Sequence, residues 1–263
     1  MKYALLIGIN YTDTDHALSG CWNDVKSMKK LLMKEGYQEK NIIIMTDEVK
    51  YKNTLFYPSG DNMMRQIRDF IKKAVPGDNL FFHYSGHGGQ IPDYNGDERL
   101  NNSTPDDECI YSVDFETISD DRLREILVDQ LTDGASLRCL MDCCHSGTGM
   151  DLPWIYSTNL VDRFNIFNME QSEIKQCNQT LSTKDVISIS GCRDSQYSAD
   201  AWIDNLAQGA LTAYFVKVCS KKVPGWRWKD LIKMLRWELS GYYEQVPQLT
   251  FTDKKAYKDP VTI

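Results

Sequence analysis

Residues 79–90 read Asn79-Leu80-Phe81-Phe82-His83-Tyr84-Ser85-Gly86-His87-Gly88-Gly89-Gln90, an apolar run that empties directly into a glycine-rich turn carrying a histidine. A short aromatic and aliphatic run bounded by turn residues reads as a strand buried on both faces. Tyr3–Ile9, Asn41–Met45, Leu137–Asp142 and Val186–Ser190 read the same way. The segments between them carry a helical period. Asp24–Lys34 sets Val25, Met28, Leu31 and Leu32 on one face, and Met63–Ala74 does so with Met64, Ile67, Phe70 and Ile71. Further helices are predicted at about Asp121–Leu131, Gly209–Cys219 and Trp228–Tyr242. Buried strands alternating with crossover helices predict an α/β fold whose central sheet is mostly parallel and flanked by helices.

The chain has 263 residues, 42% of them hydrophobic, enough for one sizeable core, so one domain over 1–263 is the expectation. Its formal charge is -7, and no Lys/Arg-rich run offers the footprint that a phosphate backbone requires, so nucleic acid is not an expected partner. The apolar run at the N-terminus is too short for a signal segment or a membrane span, and no membrane association is expected. The cysteines at 21, 109, 139, 143, 144, 177, 192 and 219 are irregularly spaced, several inside apolar runs. That usage fits a reduced, cytoplasmic protein.

Two stretches break the alternation. Asp93–Asp107 is polar with Gly, Asn and Pro throughout, and Asn159–Asp185 is polar and weakly periodic, so 159–185 is expected to be a flexible loop. Within the first, Asp93-Tyr94-Asn95-Gly96-Asp97-Glu98 fails the EF-hand pattern, because its glycine comes too early and the distal glutamate is missing.

Chemistry is expected where strands end, because the crevice of an open α/β sheet lies beyond their carboxyl ends. Two strands run into reactive residues: the one leading to His87, and Cys139-Leu140-Met141-Asp142-Cys143-Cys144-His145-Ser146-Gly147. A thiol needs a neighbouring base to act as a nucleophile at neutral pH, and histidine suits that task. His87 and Cys144 supply such a pair. Gly88 leaves room for a carbonyl to approach backbone N–H groups, which with the N–H of Cys144 form a candidate oxyanion hole. Two bland readings stand beside this one. Each residue alone also fits a buried small hydrophobe or a core histidine, as His83 inside the strand does. A zinc site from Cys139, Cys143, Cys144 and His145 lacks a C-x-x-C pair and suits a tetrahedral ion poorly.

Asp142 stands two residues before Cys144, so while strand geometry lasts it projects to the same side of the sheet. A carboxylate there repels an aspartate substrate and attracts Arg or Lys through a charge-assisted pair. Asp24, at the start of a predicted helix, reads equally well as a capping or solvated residue.

Four blocks, in order along nearly the whole chain, resemble the type I metacaspases of the caspase-like superfamily. They are Gly20-Cys21-Trp22-Asn23-Asp24, His83-Tyr84-Ser85-Gly86-His87-Gly88, Asp142-Cys143-Cys144-His145-Ser146-Gly147, and Ser190-Gly191-Cys192-Arg193-Asp194 with Gln208-Gly209-Ala210. The resemblance implies a caspase-like three-layer sandwich and a cysteine endopeptidase with Cys144, not Cys143, as nucleophile and His87 as its partner. It implies an acidic primary pocket of Cys21, Asp24, Ser85 and Asp142, filled by a basic residue of a protein or peptide substrate. It further implies Ca2+ bound through Asp107, Asp120, Asp121 and Asp151, although the run Asp106-Asp107-Glu108 lets that alignment slip by one. The Gln-Ala-Cys-x-Gly motif of caspases proper is absent, so strict cleavage after aspartate is not indicated. Starting at its first core strand, the chain is expected to lack the Pro/Gln-rich extension of some metacaspases and to be a monomer. Arg163, Lys175 and Lys184 are candidate self-cleavage points, Lys184 first because it abuts the next strand. The reading from another class is a non-proteolytic caspase-fold scaffold, which losing the nucleophile or histidine would favour; both are present.

Overall fold

The computed structural model of the chain describes residues 1–92, 106–143, 150–157, 173–176, 181–191, 200–203, 206–221, 224–243 and 245–263. Strands β1 (Lys2–Gly8), β2 (Ile42–Thr46), β3 (Asn79–Ser85), β7 (Ser136–Asp142) and β10 (Asp185–Ser190) are the five apolar runs read from the sequence, with ends shifted by a residue or two. They pair in parallel in the order β2-β1-β3-β7-β10. Three antiparallel strands extend this sheet from β10: β13 (Gln248–Phe251), β8 (Trp154–Ser157) and β9 (Glu173–Gln176).

Alternate residues of each strand go to opposite faces, which is why the apolar runs are continuous rather than alternating. Ala4, Leu6, Phe81, Leu140 and Ile187 pack beneath α1 (Cys21–Lys34), α4 (Ala210–Ser220) and α5 (Trp228–Leu239). Leu5, Ile7, Leu80, Phe82, Leu137 and Met141 pack beneath α2 (Gly60–Lys72) and α3 (Asp120–Arg124), the latter continuing into a π-helical turn at Glu125–Asp129. Helices on both faces of a mostly parallel sheet make the three-layer, caspase-like architecture expected from the sequence. None of the described helices is long and apolar enough to cross a membrane.

The structure corrects the sequence reading at several places. The polar stretch Asp93–Asp107 gives way at Asp106 to β5 (Asp106–Tyr111), which joins β4 (Gly88–Pro92) and β6 (Thr117–Ser119) in a separate three-stranded sheet. The rest of that stretch, 93–105, lies outside the described residues. Within the expected loop 159–185, residues 173–176 form β9, whose backbone finds partners on β8, while 159–172 and 177–180 lie outside the described residues. The helix expected at about Gly209–Cys219 is α4, whose N-cap Gly209 also closes β12 (Leu206–Gly209), a strand the sequence reading did not foresee, paired with β11 (Asp200–Ile203).

Candidate active site

Three parallel strands end side by side at one edge: β1 at Gly8, β3 at Ser85 and β7 at Asp142. Gly8 lets α1 sit down on β1, because a Cβ there would stand 2.4 Å from the carbonyl oxygen of Cys21. That contact carries Asp24, in the first turn of α1, over the ends of β1 and β3. Ser85 Oγ donates to Asp24 Oδ2 at 2.7 Å.

Asp24 and Asp142 both reach Gly209 at the N-terminus of α4. Gly209 N–H donates to the Asp24 carboxylate at 3.0 Å, and Thr212 N–H donates to Asp142 Oδ2 at 2.8 Å. A Cβ on Gly209 would stand 2.3 Å from Asp142 Oδ2 and 2.8 Å from Asp24 Oδ2, so both carboxylates flank this one glycine. Two buried carboxylates repel each other, and the positive end of a helix is a physical means of holding them together. Cys21, Asp24, Ser85 and Asp142 are all buried. Of the four residues expected to form one pocket, Asp24, Ser85 and Asp142 thus lie near one another, with Cys21 one turn before Asp24 on α1.

His87 sits on the turn between β3 and β4. Its Nε2 lies 2.7 Å from the carbonyl oxygen of His16, which requires the Nε2–H tautomer and leaves the Nδ1 lone pair to accept a proton. Below it lie two tyrosines that sequence reasoning did not single out. Tyr11 Oη accepts from His87 N–H at 3.1 Å and donates to Tyr111 O at 2.8 Å; Tyr84 Oη is 2.7 Å from His87 O and 3.0 Å from Tyr11 Oη. Burial pushes both phenols well above the usual tyrosine range, so they stay protonated as donors. Tyr11 takes φ +50°, a left-handed conformation that bulky residues avoid, and it is wholly buried. The available signal was its position just past the carboxyl end of β1. Gly86 is needed here, since a Cβ would meet Tyr84 Oη at 2.6 Å.

The backbone also orients Gly88. Tyr111 N–H donates to His87 O at 3.2 Å, which makes the register pair Gly88/Ile110 a non-hydrogen-bonded one. In an antiparallel ladder the N–H of such a residue points away from its partner strand. Gly88 N–H therefore faces away from β5, as an oxyanion donor must. Cys144 and His145 lie outside the described residues, while Cys143 is buried at the end of β7, on the face opposite Asp142.

His83 belongs to the core. It is fully buried with Nδ1 3.1 Å from Leu140 O, and burial lowers its pKa to about 4.

The four candidate calcium ligands lie on neighbouring elements away from His87, without converging on one point. Asp107 lies on β5, Asp120 and Asp121 open α3, and Arg124 of α3 donates to the backbone oxygen of Asp151. Asp120 accepts from Glu108 N–H at 2.8 Å and from Asp121 N–H at 2.9 Å. Asp107, Asp120 and Asp151 are buried, and Asp151 takes φ +46°. Carboxylate oxygens are the donors a hard cation takes, so the residue set fits calcium chemically. Among the described residues, no three His, Cys, Asp or Glu side chains already converge as a metal-holding group, so binding would have to draw these carboxylates together.

Of the candidate self-cleavage points, Lys184 is held by Asp133 at 2.6 Å, Lys175 lies within β9, and Arg163 lies outside the described residues.

Comparison with known proteins places the chain in a family. Residues 2–153 match the family model described as the metacaspase, peptidase C14 domain, a span that includes His87 and Cys144. Metacaspase-1 of Meyerozyma guilliermondii is 38% identical over 95% of this chain and 69% of its own length. Metacaspase-1 of Cryptococcus neoformans is 37% identical over 95% of this chain and 62% of its own length. The chain thus spans roughly two thirds of the length of these curated relatives. The crystal structure of protein GSU0716 from Geobacter sulfurreducens superimposes with a TM-score of 0.67 over 98% of this chain and 97% of its own, at 20% identity, a likeness of fold alone. With the matched span running through both reactive turns and the relatives aligned over nearly the whole of it, the chain belongs to the metacaspase family of peptidase C14 domains.

Proposed function

We propose that this chain is a calcium-activated cysteine endopeptidase that cuts peptide bonds after Arg or Lys, with Cys144 as nucleophile and His87 as its base and acid. The observation that carries the specificity is the pair of buried carboxylates, Asp24 and Asp142, flanking Gly209. Two carboxylates held at one place favour a cationic occupant, and a guanidinium or ammonium forms a charge-assisted pair with them.

In this reading His87 Nδ1 takes the proton of the Cys144 thiol, while the His16 carbonyl fixes the ring and stabilises the imidazolium through Nε2–H. The thiolate attacks the scissile carbonyl, and the negative oxygen meets Gly88 N–H. The leaving nitrogen takes the proton back from His87. Water, deprotonated by the same imidazole, then hydrolyses the thioester and restores the thiol. Asp107, Asp120, Asp121 and Asp151 would hold calcium, which as a bound cation offsets the mutual repulsion of that acidic corner. Cys21, Cys109, Cys139, Cys143 and Cys219 are buried and joined in no disulfide, which supports a cytoplasmic setting.

The test is covalent. Two peptidyl chloromethyl ketones, identical except for Arg or Asp at the terminal position, are incubated with the calcium-treated protein. Mass spectrometry should find the Arg reagent on Cys144 and the Asp reagent on no cysteine. Modification of Cys143 instead, or equal labelling by both reagents, would sink the assignment.

A further inference from the structure

A cavity of about 340 Å³ opens beside His87, lined by His16, His87, Gly88, Tyr111 and Phe115. None of Cys21, Asp24, Ser85 or Asp142 lines it. Its outer wall is Phe115, an aromatic side chain 40% exposed to solvent. The Phe115 ring stacks on Tyr11 at 5.3 Å and meets His16 edge-on at 5.7 Å.

Phe115 is held there at a conformational cost. Its φ of +59° lies in the left-handed region, which bulky residues avoid and which among the described aromatic residues only Tyr11 shares. The turn that imposes this is tied down on several sides. Phe115 N–H donates to Ser112 O at 3.0 Å, Glu116 N–H to Ser112 Oγ at 2.9 Å, and Val113 N–H to Pro58 O at 2.9 Å. Asp114 Oδ1 accepts from Gly60 N–H at 3.0 Å, anchoring the turn to the start of α2. An exposed, strained aromatic on a rigid turn contributes little to the core, and strain of this kind collects where a binding surface needs a fixed wall.

The position of the cavity says what it would hold. A histidine that protonates the leaving nitrogen must touch the residue that follows the scissile bond. Gly88 N–H marks the carbonyl oxygen, and the acidic residues mark the side that precedes the bond. The chain beyond the bond therefore passes His87 into this cavity.

We propose that the cavity is the subsite for the first residue on the leaving-group side, that it takes a large aliphatic or aromatic side chain, and that Phe115 determines this specificity. The inference rests on the peptidase reading above. The aromatic rings of Phe115 and Tyr111 in the wall make a charged side chain a poor occupant there, so selectivity on the two sides of the bond is opposite in character.

The test is digestion of a proteome-derived peptide library by the calcium-treated full chain, with new termini sequenced by mass spectrometry, for the native protein, Phe115→Asn and Phe115→Tyr. Asn tolerates the left-handed conformation, so Phe115→Asn should show no fall in melting temperature. Leu, Ile, Phe, Tyr and Trp should be enriched at the new N-terminus about tenfold or more over Asp, Lys and Gly, the discrimination that a hydrophobic pocket supplies. Phe115→Asn should flatten that enrichment while leaving selectivity on the other side of the bond intact, and Phe115→Tyr should retain it. Cleavage with no preference at this position, or a preference that survives Phe115→Asn, overturns this inference alone. Loss of the preference together with a lower melting temperature assigns Phe115 a structural role and overturns it too. No cleavage by the native protein overturns the peptidase reading and this one with it.

Discussion

Nε2 of His87 lies 2.7 Å from the carbonyl oxygen of His16, a backbone group and not a side chain. The orientation of the imidazole therefore depends on the path of the 11–16 segment, set by the left-handed Tyr11 and its hydroxyl contacts. His87→Ala should lower kcat/KM by roughly 10²–10⁴, the range for general acid–base groups. His16→Ala keeps the carbonyl and should leave turnover of an Arg-amide substrate, which has no side chain beyond the bond, within about threefold of native, since no transition-state contact is lost. Steady-state kinetics on the two variants decide this, and equal losses in both would contradict the backbone assignment.

Asp24 and Asp142 are anchors for α4 as well as candidate recognition groups, and the amide variants separate the two roles. Asp142→Asn keeps an oxygen to accept from Thr212 N–H and removes only charge. It should keep its fold by circular dichroism yet lose about 2 kcal/mol or more of transition-state binding for Arg substrates, roughly thirtyfold in kcat/KM. Unchanged Arg selectivity in both Asp24→Asn and Asp142→Asn would remove the pocket assignment.

The same crowding makes Gly209 irreplaceable. Gly209→Ala places a methyl 2.3 Å from Asp142 Oδ2. Forcing an extra group into a packed site typically costs about 1–3 kcal/mol, and urea titration should show a lower midpoint at unchanged slope. A midpoint equal to native would mean that the carboxylates move aside freely.

His83 gives the fold an acid sensitivity unrelated to catalysis. Its pKa is lowered to about 4 by burial, against about 6.5 unfolded, so between those values the unfolded chain binds more protons. The contribution is favourable above pH 6.5 and is lost as the pH falls toward 4, by up to about 3 kcal/mol. His83→Leu should flatten that part of the stability–pH curve measured by urea unfolding at pH 7 and pH 5. A native slope in the variant would assign the acid sensitivity to other groups.

Calcium removal gives a fifth prediction. Chelation should lower activity by a factor within about 5–150, the ordinary span of coupling between two sites. Asp151→Ala should have the same low activity with or without the ion. An Asp151→Ala variant that still responds to calcium at native concentrations would exclude that residue from the site.

The five parallel strands were legible because each is buried on both faces, which makes its apolar run continuous. The small sheet β4-β5-β6 was not, because Gly88–Pro92 and Asp106–Tyr111 bury few apolar groups and are strands only by pairing with each other. Likewise β13, reading Gln248-Leu249-Thr250-Phe251, alternates polar and apolar residues in a run too short to stand out. At the site, His87 and Asp142 could be read because they stand at or just past the ends of predicted strands, while Ser85 was implied by the family resemblance. Tyr11, Tyr84 and Phe115 could not, since an aromatic residue looks the same in sequence whether it fills a core or braces a histidine.

The most direct test of the central claim is cleavage of matched fluorogenic peptides ending in Arg, Lys or Asp, with calcium or chelator, by the native chain and Cys144→Ala. The account predicts calcium-dependent cleavage after Arg and Lys, none after Asp, and none by the variant. A folded, calcium-treated native chain that cleaves no peptide, or a Cys144→Ala variant that cleaves as well as native, would contradict it.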